Sequence, residues 1–541
     1  MNRKNLIILF IAILFLIGAC SFFSPTTQNV PKTSIPQGNP AQPETATQEP
    51  LPGGNGQNES QTPIQGGGDL GSQLEMVSLN PDGQPLNGNS DAVAVSDNGL
   101  YVAFTSAATN LVPEKTTNTY TDVFVYNHAS KKIVMVSVST DGQEGNNSSY
   151  QPEISDDGRF VVFSSTASNL VPNDNNGKIN IFIHDRDSDG NGVFDEPGGT
   201  KTELVSVSIN GGVGNDDSWD PHLHGSGRFI AFFSRASDLV SGDTSQCSIY
   251  DLGDTTCTNV YVRDIQTSKT VRVSVSSTGE LENQAPDTCE LGPDISSDGR
   301  FVVFPSAATN LVSGKTNTCE NNNISIVSDQ SPCQDIFLHD TQTGETTRLS
   351  VGANGEQGDE EAARPVISSN GRYVAFESLA TNLVPDLPKD ISGNWVVYVV
   401  DTQTHEIKIG SVNSEGQPVN GSDPVISADG RFVGFLSSSY KIVTTNPPSD
   451  SSREDFYIHD FQTGTTYLVS EGIGGPGVSA KISAGNSHSF SVDEKWAVFI
   501  AGNPLTGIEL PAKCAEAMGE GEVDNVDCNA IYLRDLSGMF K

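Results

Sequence analysis

Short apolar runs recur along the chain, and each is bounded by turns rich in Gly, Asp, Asn or Thr. One group of four such runs lies at Glu153–Ser155, Arg159–Ser164, Asn180–His184 and Glu203–Val207. Alternating apolar positions and β-branched residues are typical of half-buried strands, and the Asp-Gly between the first two runs favours a hairpin turn. No long segment of the repeated part follows a helical period. The sequence therefore predicts an all-β fold built from units of four strands.

These units repeat. A phrase close to Ser-x-Asp-Gly-Arg-Phe-Val-x-Phe returns about every 60 to 70 residues, and self-similarity at a regular spacing indicates a repeat architecture. Its seven copies are Ser96–Phe104, Ser155–Phe163, Gly225–Phe232, Ser296–Phe304, Ser368–Phe376, Ser427–Phe435 and an eroded Ser491–Phe499. Four antiparallel strands at this period predict a β-propeller blade. The sequence therefore predicts a seven-bladed β-propeller of four-stranded antiparallel blades.

The two ends of the repeated region complement each other. The last unit ends with its third strand, at Ala530–Asp535, and has no fourth. An orphan segment at Leu74–Leu79 precedes the first unit and matches the fourth-strand pattern of Ile133–Val138. We expect this N-terminal strand, at about residues 74–79, to complete the last blade, because pairing the two ends closes the ring and removes exposed edges.

The N-terminal region has the pattern of an export signal and a tether. A short basic segment and an apolar run at Leu6–Ile17 precede Gly18-Ala19-Cys20, which is similar to a bacterial lipobox. We expect residues 1–19 to be a lipoprotein signal peptide and Cys20 to carry the lipid. Residues 20–73 are rich in Pro, Thr, Gln and Gly, a composition typical of a disordered tether. The propeller would then occupy residues 74–541 of a protein anchored at the bacterial cell envelope, outside the cytoplasm.

Charge narrows the set of partners. The formal net charge is −37, which argues against nucleic acid and against a basic patch on anionic lipid, since both need clustered Lys and Arg. We expect membrane contact through the lipid anchor alone, and a monomer. The charge can be explained by a soluble, acidic surface alone. The alternative, functional interpretation is affinity for divalent cations or for basic partners.

One segment has the spacing of a calcium-binding loop. Residues 185–196 fit D-x-D-x-D-G-x5-E, with oxygen ligands predicted at Asp185, Asp187, Asp189, Asn191 and Glu196. Calcium prefers six to eight hard oxygen ligands, which alternate carboxylates along a tight loop supply. The flanks are predicted strands and not the helices of an EF-hand, so we expect a calcium hairpin between the third and fourth strands of the second blade. The alternative is an Asp-rich solvated turn.

The cysteines are distributed as in an exported protein. Besides Cys20, three pairs fall within single long loops between second and third strands: Cys247 with Cys257, Cys319 with Cys333, and Cys514 with Cys528. Paired cysteines in one loop of an exported chain predict three local disulfides. Cys289 is left over and could exchange partners with a neighbouring pair. Because these loops and the connections between blades emerge on one face, we expect that face to meet partners.

A last candidate site lies at the predicted central channel. His222 and His224 replace the usual residues of the innermost strand in the third unit, and the neighbouring units carry Glu153 and Asp294 at the position of His222. Such a cluster could hold a metal or a small ligand. The alternative is the ordinary polar lining of a channel.

The repeats resemble the TolB-like, WD-repeat-like propellers of bacterial envelope proteins. The Asp-Gly-Arg-Phe-Val strands, the phrase Ala-Thr-Asn-Leu-Val at Ala308–Val312 and the strand and turn at Ile336–Gly344 carry this resemblance. It implies binding or scaffolding at the envelope. No G-x-S-x-G, H-E-x-x-H or phosphate-binding glycine loop is present. We therefore expect a non-catalytic module, stabilised by calcium, that binds an envelope protein or glycan. The alternative is a hydrolase or lyase with its active site in the channel.

Overall fold

The computed structural model describes residues 74–540. Its gaps fall at 114, 116–118, 243–245, 250–252, 285–291, 315–332, 386, 389–390, 440–441, 444–453, 472–488, 492–494, 502–504, 507–509, 511–513, 519–521 and 527–528. The chain divides into the units Met1–Asp69 and Leu70–Lys541, and every described residue belongs to the second. The predicted signal peptide, Cys20 and the tether lie outside the described residues. Within the described part, no helix is long and apolar enough to cross a membrane.

The described residues form 32 β-strands. Those of the N-terminal half are β1 (Leu74–Met76), β2 (Ser90–Val95), β3 (Tyr101–Ser106), β4 (Asp122–Asn127), β5 (Lys132–Met135), β6 (Ser149–Ile154), β7 (Phe160–Ser165), β8 (Asn180–Asp185), β9 (Lys201–Leu204), β10 (Ser218–Leu223), β11 (Phe229–Ser234), β12 (Gln246–Ile249), β13 (Gly253–Thr256), β14 (Asn259–Asp264) and β15 (Lys269–Arg272). Those of the C-terminal half are β16 (Asp294–Ile295), β17 (Phe301–Ser306), β18 (Asp335–Asp340), β19 (Glu345–Arg348), β20 (Ala362–Ile367), β21 (Tyr373–Ser378), β22 (Val396–Asp401), β23 (Ile407–Ile409), β24 (Ser422–Ile426), β25 (Phe432–Ser437), β26 (Asp455–Asp460), β27 (Thr465–Leu468), β28 (Ser489–Phe490), β29 (Trp496–Ala501), β30 (Cys514–Met518), β31 (Glu522–Val526) and β32 (Ala530–Asp535).

Seven four-stranded antiparallel sheets make up the fold. Blades 1, 2, 5 and 6 are four consecutive strands each, namely β2–β5, β6–β9, β20–β23 and β24–β27, and blade 4 is β16–β19. Blade 3 is β10-β11-β14-β15, with the hairpin β12-β13 inserted between its second and third strands. The first strands of successive blades contact one another from β2 through β28 and back to β2. The predicted seven-bladed propeller is confirmed, with the first strands innermost.

The two ends of the propeller meet in blade 7, whose strand order is β28-β29-β32-β1. Glu75 of β1 pairs with Leu533 of β32, and the backbone N–H of Val77 donates to the carbonyl of Ile531 at 2.8 Å. The predicted closure by an N-terminal strand is therefore confirmed. The strand itself spans residues 74–76 and is shorter than the predicted 74–79.

Each seam between adjacent blades is filled by its own hydrophobic cluster. Seven clusters of buried residues are present among the described residues, and each combines strands of two neighbouring blades. The cluster between blades 5 and 6, for example, joins Val397 and Val399 to Val433 and Phe435. Apolar residues on both faces of each sheet are buried in these clusters, because each blade packs between two others.

The repeated Gly and aromatic positions form a contact that links blade to blade. Gly430, in the first turn of blade 6, has φ +77°, and a Cβ placed there would lie 2.1 Å from the ring of Tyr373 in blade 5. The same contact recurs around the ring, as Trp496 on Gly99, Tyr101 on Gly158, Phe160 on Gly227, Phe229 on Gly299 and Phe301 on Gly371. At the next step Phe432 instead stacks on Phe540, with ring centroids 4.4 Å apart. The repeated phrase therefore encodes packing between blades as well as a turn.

The Ser and Asp of the phrase fix the turn itself. In blade 2 the Ser155 hydroxyl donates to Asp157 Oδ1 at 2.7 Å and accepts the Phe160 N–H at 2.9 Å. The equivalent serine–acceptor bonds recur at Ser96, Ser296, Ser368 and Ser427. These side chains stabilise the first turn of five of the seven blades in the described part of the chain, as Ser and Asp commonly do in turns.

Candidate functional site

The residues that the sequence predicted for the channel occupy equivalent positions on three successive inner strands. Glu153 pairs with Val162, His222 with Ala231 and Asp294 with Val303, all at the same register. In blades 1, 5 and 6 the same register is occupied by Ala94, Val366 and Val425. Those three side chains pack in or against the hydrophobic clusters of the following seams. Three consecutive blades therefore carry ionisable groups at the register where blades 1, 5 and 6 carry apolar residues.

Asp294 is the centre of the cluster. Its Oδ1 lies 3.1 Å from His224 Nε2 and 4.0 Å from His222 Nδ1, and its Oδ2 accepts the backbone N–H of Ile367 in blade 5 at 2.8 Å. The Asp294 side chain is only 4% exposed, whereas those of His222 and His224 are 27% and 32% exposed. The structure thus brings the predicted residues together, with a buried carboxylate holding one imidazole and both imidazoles reaching solvent. We call Glu153, His222, His224 and Asp294 the inner cluster.

Electrostatics in the inner cluster follow from burial opposed by charge. Burial disfavours the charged His224 ring, but the carboxylate of Asp294 outweighs that effect and raises the pKa of His224 to about 9. Burial alone would raise the pKa of Asp294, but His224 holds it below its usual value. Burial raises the pKa of Glu153 to about 7, although His222 and His224 oppose the shift. Near neutral pH the cluster therefore contains an imidazolium fixed by a carboxylate and a second carboxyl group that is partly protonated.

His224 stands where the repeat has its turn-stabilising serine. Two residues after Glu153 in blade 2 comes Ser155, and two residues after His222 in blade 3 comes His224. Blade 3 also has Gly225 and Ser226 in place of the Asp-Asp of blade 2. In place of the serine turn contact, the His224 side chain bonds to Asp294 of blade 4. A local stabilising contact has been exchanged for an ion pair between blades, which is typical of a functional position.

Sequence reasoning missed three residues beside the inner cluster. Asp220 Oδ1 lies 3.9 Å from His222 Nε2, and Gln151 Nε2 donates to Asp220 Oδ1 at 3.0 Å. Gly292 backs both groups, since a Cβ there would lie 2.6 Å from Asp220 Oδ2 and from His222 Nε2. Gln151 and Asp220 sit at β-bulges with φ +51° and +54°. The signal available in the sequence was the proline that follows each of them, because proline inside a strand marks an edge or a bulge.

The arrangement suits proton transfer better than metal binding. Among the residues that the structure describes, no group of three or more His, Cys, Asp or Glu side chains is placed to hold a metal ion. An acid with a pKa of about 9 and a base with a pKa of about 7, on neighbouring blades, can donate and accept protons. The sequence-based suggestion of a metal in this cluster therefore gains no support from its geometry.

The predicted calcium residues lie in the loop between β8 and β9, without flanking helices. Asp185 is already paired with Arg159, at 2.7 and 2.8 Å. The carboxylate of Asp187 accepts the backbone N–H groups of Asn191 and Gly192, and the Asn191 amide donates to Asp189 Oδ2 at 3.0 Å and to Glu196. The loop is anchored by Arg186, a buried residue whose guanidinium pairs with Asp195. Calcium binding here remains a prediction.

Only some of the cysteines with predicted disulfides lie among the described residues. Cys257 and Cys333 are buried and disulfide-bonded. Cys247 and Cys514 lie in the described strands β12 and β30. Cys289, Cys319 and Cys528 lie outside the described residues, so the predicted pairing remains a prediction.

Comparison with known proteins identifies relatives by fold only. No protein-family profile matches the chain, and no curated protein matches it significantly. Solved structures with a similar fold include oligogalacturonate lyase in complex with manganese, with 13% identity, a TM-score of 0.47 and coverage of 86% of this chain and 94% of the lyase. They also include TolB from Acinetobacter baumannii, with 11% identity, a TM-score of 0.35 and coverage of 83% and 79%. A third is an acylaminoacyl peptidase from Pyrococcus horikoshii, with 12% identity, a TM-score of 0.41 and coverage of 81% and 52%.

These structures correct one prediction. We expected a protein without catalytic activity because no catalytic motif was found, and that inference is wrong, since proteins named as a lyase and a peptidase share the fold. Likeness at this level establishes fold and no activity. At the level of fold the predicted resemblance is confirmed, since the chain is a seven-bladed β-propeller and the solved structures of similar fold include TolB.

Proposed function

We propose that the inner cluster is an active site that binds a polar ligand at the inner edge of blades 2–4 and transfers protons to and from it. The reaction class is elimination or hydrolysis of a glycan or peptide, with Glu153 as the general base and His224 as the cationic acid. Asp294 holds His224 in position and in its charged form. No nucleophilic side chain is part of this proposal.

The observation that carries the proposal is the replacement of apolar packing by ionisable groups at one register of three consecutive blades. Ala94, Val366 and Val425 show what the fold uses there when only packing is required. Burying a carboxyl group with incomplete compensation costs free energy, and clusters of groups with strongly perturbed pKa values occur preferentially at active sites. A purely structural role would not require this exchange.

The protonation states give a directional test. The active form needs Glu153 ionised and His224 protonated, so kcat/KM should rise with pH through about 7 and fall above about 9. Substrates would be sought by mass spectrometry in a panel of envelope glycans and peptides. Glu153→Gln should lower kcat by about 10²- to 10⁴-fold, and Glu203→Gln, an exposed carboxylate on β9 of the same blade, should leave it unchanged. Full turnover in Glu153→Gln would refute the assignment.

Localisation and stabilisation belong to the same proposal. The protein would be held at the envelope by lipid on Cys20, with the propeller presented beyond a tether of residues 20–73 and calcium bound by the loop after β8. The sequence patterns described above support these statements. Metabolic labelling with a radioactive fatty acid, with Cys20→Ala as the control, would test the anchor.

A further inference from the structure

The fold uses the same side-chain bridge at two seams. Between blades 2 and 3, Gln151 donates to Asp220 Oδ1 at 3.0 Å and accepts the Asp220 backbone N–H at 3.1 Å. Its amide oxygen also accepts the hydroxyl of Ser164, on the second strand of blade 2, at 2.6 Å. Gln151 is therefore held by Ser164 of its own blade and hydrogen-bonds to Asp220 of the next blade.

The equivalent bridge between blades 5 and 6 uses charged residues. Arg364 and Asp423 occupy the same bulge positions, with φ +50° at both, and the Arg364 guanidinium pairs with the Asp423 carboxylate. Glu377, at the position of Ser164, lies 3.4 Å from Arg364 Nε. This second bridge contacts no residue of the inner cluster among the hydrogen bonds and ion pairs of the described part of the chain. It joins blades 5 and 6 at a distance from the inner cluster and therefore provides a control for the bridge between blades 2 and 3.

The bridge between blades 2 and 3 has an additional neighbour. Asp220 Oδ1 lies 3.9 Å from His222 Nε2, a separation at which an apo site can tighten into a hydrogen bond when ligand arrives. In blade 4 the corresponding position, two residues before Asp294, is Gly292, and the space left by its missing side chain is occupied by Asp220 and His222. A side chain at position 292 would displace both groups.

We infer that Gln151 is a positioning residue of the proposed active site, acting through Asp220 on the imidazole of His222. Gln151 sets the direction of the Asp220 carboxylate, and Asp220, whose Oδ1 lies 3.9 Å from His222 Nε2, fixes the orientation of the imidazole ring. Gly292 provides the room in which they meet. This inference rests on the proposed function for its biological meaning, but its geometry can be tested without a substrate.

The test measures the reactivity of His222 directly. Diethyl pyrocarbonate acylates accessible imidazole nitrogens, so its rate at His222 reports how firmly the ring is held beside Asp220. The modification rate of each histidine can be followed by mass spectrometry with fragmentation between His222 and His224. His405 is exposed and serves as the internal reference. The variants are Gln151→Met, which keeps the length of the side chain and removes its amide, and Asp220→Asn. Asparagine is tolerated in the left-handed conformation of this position. Arg364→Met is the matched control for the second bridge.

The expected result is a several-fold faster modification of His222 relative to His405 in Gln151→Met and in Asp220→Asn. The double variant should equal Asp220→Asn, because Gln151 acts through Asp220. Arg364→Met should leave the ratio unchanged even if it lowers stability. An unchanged ratio in Gln151→Met, additive effects in the double variant, or an equal change in Arg364→Met would each overturn the inference. None of these outcomes depends on whether Glu153 proves to be catalytic, so the two proposals fail separately.

Discussion

The contact between Gly430 and Tyr373 predicts that the glycines of the repeated phrase differ sharply from other left-handed glycines. Gly430→Ala would place a Cβ 2.1 Å from the Tyr373 ring, at a backbone φ of +77°. Gly416→Ala is the matched control, because its φ is +75° and no atom lies within 4 Å of the added Cβ. Both substitutions carry the cost of a left-handed alanine, which is about 1–2 kcal/mol.

Only Gly430→Ala adds a steric penalty. Forcing an extra carbon into a packed seam costs about 1–3 kcal/mol, so we expect Gly430→Ala to lower the free energy of unfolding by about 2–5 kcal/mol and Gly416→Ala by about 1–2 kcal/mol. Urea titrations of the two variants, followed by tryptophan fluorescence, would measure the difference. Adding Tyr373→Ala to Gly430→Ala should recover part of the loss, since it removes the two nearest ring atoms and leaves only the Cβ of residue 373, at 2.8 Å. Equal destabilisation by the two glycine variants would refute the role assigned to the repeated Gly–aromatic contact.

The remaining predictions concern pH, calcium and the glycine that makes room for the inner cluster. Burial raises the pKa of Asp122 and of Asp335 to about 6, from an ordinary value of 3.8. The stability that these two groups contribute is therefore fully present below pH 3.8 and is lost as the pH rises through about 6. The loss for each group is at most about 1.4 kcal/mol per pH unit. Asp122→Asn should therefore flatten the fall in unfolding free energy between about pH 4 and pH 7, and an unchanged slope would contradict this. Calorimetric titration of chelator-treated protein should detect calcium binding at or below about millimolar concentration, and Asp187→Ala should abolish it; no heat in the wild type would exclude the loop as a site. Gly292→Ala should disturb the inner cluster and lower turnover more than stability, as measured by kcat beside the thermal midpoint, and a loss of stability without a loss of turnover would count against the site.

Much of the architecture could be predicted because each blade contains a copy of the same sequence phrase. The count of seven blades and the closure through Leu74–Met76 both follow from where the strand patterns begin and end. The inner strand of blade 2 was predicted to start at Glu153, but it starts at Ser149. The bulge at Gln151 breaks the alternation on which the prediction relied, so the earlier residues did not look like a strand.

The site could be predicted only in part, for a physical reason. Glu153, His222, His224 and Asp294 stand out because they depart from the repeat at aligned positions. Asp220 and Gln151 do not, since their importance arises from a left-handed backbone that turns two side chains toward each other across a seam. The raised pKa of Glu153 likewise depends on burial, which no one-dimensional pattern reports.

The closure of the ring has a mechanical consequence. β1 is held by three paired positions with β32 and by Glu75, whose carboxylate contacts Lys131 at 2.6 Å and His128 at 3.2 Å in blade 1. Any tension transmitted along the chain ahead of Leu74 acts on this strand before it reaches any other element. A pull strong enough to detach β1 would uncover the edge of β32 and open the ring at blade 7. If the chain ahead of Leu74 is anchored as proposed, the strand that closes the ring is also the first to carry the load, and force would act directly on ring closure.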